Sequence, residues 1–114
     1  MRLDADQQAS YAALCEDVVT IVAVAGLPRA AREDGHVVTR AYLSALRSPS
    51  RERWRAYHRA VATLLEDCAP AASRALDFPA VAACLRLRAF LRENEDLAIG
   101  GVRHRARAAV RRTA

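Results

Sequence analysis

At 114 residues the chain is one domain by size, large enough to bury a core without disulfide or metal staples. Its apolar half includes only three Tyr, two Phe, one Trp and one Met, so the core must be mostly aliphatic and small, and its abundant alanine favours closely packed helices. All 18 basic residues are arginine; residues 100–114 hold five of them and no acid, which leaves 13 arginines against 13 acids elsewhere, so the body is neutral and the tail carries the whole formal charge of +5.

Arginine and alanine codons are GC-rich, and the absence of lysine therefore needs no functional cause. Cys15, Cys68 and Cys84 are odd in number, lack CxxC spacing and fall at apolar helical positions, the pattern of buried, reduced thiols in a cytoplasmic protein. The opening MRLDADQQAS is acidic and polar, unlike a secretory signal. The longest apolar run, Val18 to Leu27, is broken by Thr20 and falls short of the ~20 residues a bilayer span needs. No membrane association is expected.

A first helix is predicted over Asp6–Ala25, because Tyr11, Leu14, Cys15, Val18, Ile21, Val22 and Ala25 recur at intervals of three and four. The β-branched run VVTIVAV would suit a strand, but no other segment offers it a partner. Gly26 and Pro28 stop this helix. PRAARED then reads as a short turn ended by Asp34-Gly35. A second helix follows over His36–Arg47, with Val38, Ala41, Tyr42, Ala45 and Leu46 inward and Arg40, Ser44 and Arg47 outward.

Ser48 is expected to cap a third helix, with Pro49 in its first turn, that runs to Cys68. RERWRAYHRA alternates aromatic and basic residues, but a helix sorts them onto separate faces. Trp54, Tyr57, Val61, Leu64, Leu65 and Cys68 share an apolar arc, which makes Trp54 a core residue, and His58 on its shoulder is expected to pack with a hydrogen-bond partner. Arg51, Arg55 and Arg59 line the flank, where like charges one turn apart repel unless something negative answers them, as Glu52 and Glu66 do in part, or water solvates them.

APAAS is expected to form a loop, and Asp77 to cap a fourth helix that carries Pro79 in its first turn and ends near Asn94. Ala80, Ala83, Cys84, Leu87, Phe90 and Leu91 make its main apolar arc, with Val81 and Leu85 as a second stripe. Gly100-Gly101 marks a break, since each glycine costs about 1 kcal/mol inside a helix. A basic C-terminal helix or tail follows, which divides the chain into a bundle domain over 1–99 and a tail over 100–114. The tail run GGVRHRARAAVRR resembles the Arg/Ala-rich end of the DNA-recognition region of bacterial sigma factors, without the helix and turn that precede it there.

His36, His58 and His104 stand in separate segments with no ligand-like spacing, and the sequence has no glycine-rich phosphate loop and no GxSxG. No cofactor, metal or catalytic residue is therefore expected. What the helices leave over is apolar surface: Val19, Val24, Val37, Leu43, Val81 and Leu85 fall outside the main arcs. The fold expected is an all-α bundle of four to five helices. Its expected role is a non-catalytic assembly module that self-associates, as a homodimer or larger, or binds a protein partner through Val37, Leu43, Val81 and Leu85. The alternative is a small nucleic-acid-binding protein that uses Arg103, Arg105, Arg107, Arg111 and Arg112, extended by Arg51, Arg55 and Arg59.

Overall fold

The computed structural model describes residues 3–94. Four α-helices occupy them: α1 (Ala5–Val22), α2 (Arg29–Arg47), α3 (Arg51–Arg74) and α4 (Phe78–Glu93). The expected Gly-Gly break and basic C-terminal helix lie outside the described residues.

Helix α1 begins ahead of its apolar pattern, at a capping box. The Asp4 carboxylate accepts the Gln7 N–H at 2.8 Å while the Gln7 side chain accepts the Asp4 N–H at 3.0 Å. It ends at Val22, short of Ala25, and the chain turns through Gly26 at φ +76°, a conformation that costs glycine nothing. Val24 and Leu27 of this connection are buried, so the apolar residues left off the helix still enter the core.

Helix α2 starts at Arg29, not His36, and Gly35 lies inside it. The close approach of α1 explains why a helix tolerates glycine there. A Cβ on Gly35 would stand 2.7 Å from Val22 Cγ1, closer than two such atoms can approach.

Ser48 closes α2, its N–H bonded to Ser44 O at 3.0 Å, and the cap of α3 is Ser50, whose hydroxyl accepts the Arg53 N–H at 3.1 Å. Pro49 thus sits in the turn, before the helix it was expected to open. Helix α3 also runs through APAAS to Arg74, with Pro70 inside it. An interior proline costs about 3 kcal/mol, but Cys68, Ala71 and Ala72 around it are buried, and that packing holds the helical path.

Helix α3 ends in paired reverse bonds, Asp77 N–H to Ala72 O and Leu76 N–H to Ser73 O, both 3.1 Å. Asp77 serves two helices, because its carboxylate also accepts the Ala80 N–H at 3.1 Å and caps α4 as expected.

Ring contacts define the direction of the helices. Tyr11 near the start of α1 meets Trp54 and Tyr57 near the start of α3 and Phe90 near the end of α4, while Tyr42 late in α2 joins the same cluster. At the other end Val22 meets Gly35, and Cys68 approaches the Ala31 carbonyl. The bundle is therefore up-down-up-down. Helices α2 and α3, α3 and α4, and α4 and α1 pack as neighbours, and α2 and α4 stand at opposite corners without touching. One end of the core is aromatic and the other is aliphatic and small.

Candidate interaction surface

Trp54 is 1% exposed and fully part of the core, so the aromatic residue of RERWRAYHRA is structural. His58 is likewise buried, and its Nε2 is 2.8 Å from the Tyr11 hydroxyl, with the Phe90 ring beside it at 5.1 Å. A buried imidazole held in this way locks the start of α3 onto α1 and α4.

Helices α1 and α4 are clasped a second time, through Asp17 and Arg86. The guanidinium donates through both Nε and Nη2 to the carboxylate, at 2.8–3.2 Å. Asp17 is buried although helical periodicity puts it opposite the apolar arc of α1. Its partner lies 69 positions away, a distance over which helical periodicity carries no signal.

A third polar feature joins α2 to α3. Burial, and behind it a hydrogen bond and repulsion from the Asp67 carboxyl, push the Asp34 carboxyl up to about 6. Cys68 next to them is pushed up to about 11 by burial and by the same carboxylates. Burial raises Cys15 and Cys84 as well, the direction opposite to that of a thiolate nucleophile. Among the described residues no group of three or more His, Cys, Asp or Glu side chains could hold a metal ion, and no helix is long and apolar enough to cross a membrane.

The residues expected at an interface divide between two sides of the bundle. Val37 and Leu43 are exposed on α2 and Leu85 is exposed on α4, while Val81 is half-buried against the core. Because α2 and α4 are diagonal, these four cannot form one patch. Val19 is exposed on α1, and Val24 belongs to the core.

Leu46, expected to face inward, is also 46% exposed on α2, but the apolar residues on the α4 side are the more exposed. A shallow groove of about 360 Å³ runs between α3 and α4, lined by Leu65, Ala69, Pro70, Val81, Cys84 and Leu85 with Glu66, Ser73 and Arg88 at its polar margin. Beside it Phe78, at the start of α4, is 72% exposed and Leu76, in the preceding turn, is 70% exposed. Phe78, Val81 and Leu85 recur at three and four residues, so they share the face of α4 turned away from its core arc of Ala80, Ala83, Leu87 and Phe90. Sequence reasoning misses Leu76 and Phe78, because they fall in a turn and beside a cap. The i, i+7 spacing of Phe78 and Leu85 is the available signal.

Leu76 is also the only non-glycine residue with positive φ among those described, at 54°. Glycine is the usual occupant of that position at a helix end, and a branched side chain there is strained by about 1–2 kcal/mol. The strain holds an apolar side chain in water.

Of the arginines expected on nucleic acid, Arg51 and Arg59 are exposed and Arg55 is half-buried. Arg103, Arg105, Arg107, Arg111 and Arg112 lie outside the described residues. Comparison with protein families, curated proteins and solved structures finds no match for this chain.

Proposed function

We propose that this chain is a non-catalytic interaction module that docks one amphipathic helix of a protein partner onto the outward face of α4 and the groove beside it. The observation that carries the reading is Leu76, a strained and exposed leucine where glycine would be easier, two residues before exposed Phe78, which shares a face of α4 with exposed Leu85. None of the three contributes much burial to the folded monomer. A leucine, a phenylalanine and a leucine on one surface are the kind of apolar anchors that helix-in-groove recognition uses.

Charge selects the occupant. The α4 face and its groove bear Arg88 and Arg92, with Arg74 at the end of α3, against Glu66 and Glu93, a net excess of one arginine, whereas Arg86 is already engaged by Asp17. A second copy would bring arginine against arginine, so an apolar helix with acidic flanks fits better than self-association.

The experiment is selection of helical peptides from a display library against the full chain. The selected peptides should be amphipathic and acidic, and Leu85→Glu should weaken them at least about tenfold, or about 1.4 kcal/mol, while Leu43→Glu on the opposite side leaves them unchanged. Peptides indifferent to Leu85→Glu would remove the reading. Light scattering separates the alternative: a dimer whose mass falls to monomer with Leu85→Glu would assign the same face to a second copy.

A further inference from the structure

A second surface lies on the opposite side of the bundle and does not depend on the α4 reading. A groove of about 330 Å³ between α2 and α3 is lined by Arg40, Leu43, Ser44 and Arg47 of α2 and Arg53 of α3. Three guanidiniums and a hydroxyl border it, and no carboxylate does. Among the described residues the ion pair found is Arg86 with Asp17, so none of these three arginines is paired with a described acid. One of them is held in place: Arg53 donates from Nη1 to the Ser48 carbonyl, 3.0 Å away in the turn between the helices.

The groove also lies at one end of a longer, mostly basic face. Arg29, His36, Arg40 and Arg47 are all exposed and recur at seven, four and seven residues, which places them along one outward face of α2. Across the 19 residues of α2 that face extends about 27 Å at ~1.5 Å per residue. Glu33, the one exposed acid on the helix, falls on this same face between Arg29 and His36, so only the half of the face nearer the groove is free of acid. Asp34 is turned toward Asp67 and is half-buried.

Arg40, Arg47 and Arg53 set three like charges around one groove, an arrangement that water screens and an anion answers. A compact anion would need only one of these guanidiniums or two, whereas Arg40 and Arg47, seven residues or about 10 Å apart along α2, with Arg53 across from them, are spaced to meet more than one phosphate of a chain. Guanidinium forks donate two parallel N–H bonds to phosphate oxygens. Leu43, half exposed within the groove, suits the apolar edge of a sugar between phosphates.

We infer that the outward face of α2, ending in the Arg40–Arg47–Arg53 groove, binds the phosphate backbone of a nucleic-acid duplex. These residues differ from the Arg51, Arg55 and Arg59 row and from the C-terminal arginines singled out by sequence pattern, because Arg53 joins Arg40 and Arg47 only once α2 and α3 are packed. Phosphate binding of this kind reads no base sequence and is released at high salt.

The test uses the full chain, so that any contribution of the C-terminal arginines is common to every variant. Binding to a random-sequence DNA duplex is measured by fluorescence anisotropy over a range of salt, beside binding to ATP. Arg40→Ala/Arg47→Ala, two exposed positions, should keep the parent's circular dichroism and make the slope of log K against log salt less negative by about 1.8, which is about 0.9 for each phosphate no longer neutralised. Arg40→Lys/Arg47→Lys should restore most of that slope. The inference is overturned if the parent does not bind the duplex, or if the alanine pair leaves the slope unchanged. It is equally overturned if Arg51→Ala/Arg59→Ala lowers the slope by as much, which would indicate diffuse charge, or if the alanine pair weakens ATP alone, which would assign the groove to a free nucleotide.

Discussion

Asp34 is the residue whose protonation bears most directly on the fold. Its folded-state value, about 6, lies above the ordinary 3.8 because burial and Asp67 both disfavour its charge. Its stabilising contribution is therefore complete below about pH 4 and is lost as pH rises through about 6. The melting temperature of the parent should fall between pH 5 and pH 7.5 relative to that of Asp34→Asn, which keeps a hydrogen-bonding group and cannot ionise. Scanning calorimetry at the two pH values checks this, and parallel pH profiles would contradict it. Leu76 makes a separate prediction. Leu76→Gly should leave stability unchanged or raise it by about 1 kcal/mol in a urea melt, because it relieves a positive φ and removes a side chain that is 70% exposed. Neither effect was legible in the sequence: the carboxyl pair joins positions 33 residues apart on different helices, and the backbone of Leu76 follows from how α3 ends.

At the scale of the elements, all four described helices follow from apolar spacing at three and four residues, and Asp77 was identifiable as a cap because proline follows it. The two largest boundary shifts lie at Gly35 and Pro70, residues that break helices in isolation. Packing overrides both. Val22 fills the space where a Gly35 side chain would stand, and buried Ala71 and Ala72 follow Pro70. Gly35→Ala should consequently destabilise the chain, with a steric cost of about 1–3 kcal/mol exceeding a helix-propensity gain of about 1 kcal/mol. Val22→Ala in the same molecule should recover part of the loss, a positive coupling that a double-mutant cycle reads directly. Additive effects would mean that Val22 is not what excludes the methyl group.

In the whole molecule the aromatic end of the core ties all four helices together through Tyr11, Tyr42, Trp54, Tyr57 and Phe90. Truncation of Trp54 to alanine should cost about 3–5 kcal/mol, a large share of the roughly 5–15 kcal/mol typical of a domain, and a urea melt would register it as a lower midpoint. The leftover apolar residues were identifiable as a class, but their division between two corners was not, because nothing in one helix's periodicity says which helices end up diagonal. That arrangement leaves the molecule with two dissimilar outer sides, an arginine line on α2 and an apolar face on α4.

The most direct test of the α4 face is a photo-crosslinking amino acid placed at position 85 or at position 43 in the cells that make the protein. If the α4 face holds the partner, crosslinks should form from position 85, and not from position 43, to a protein whose attached segment is an acidic amphipathic helix. Crosslinks from position 43 alone, or from position 85 only to a second copy of this chain, would contradict it.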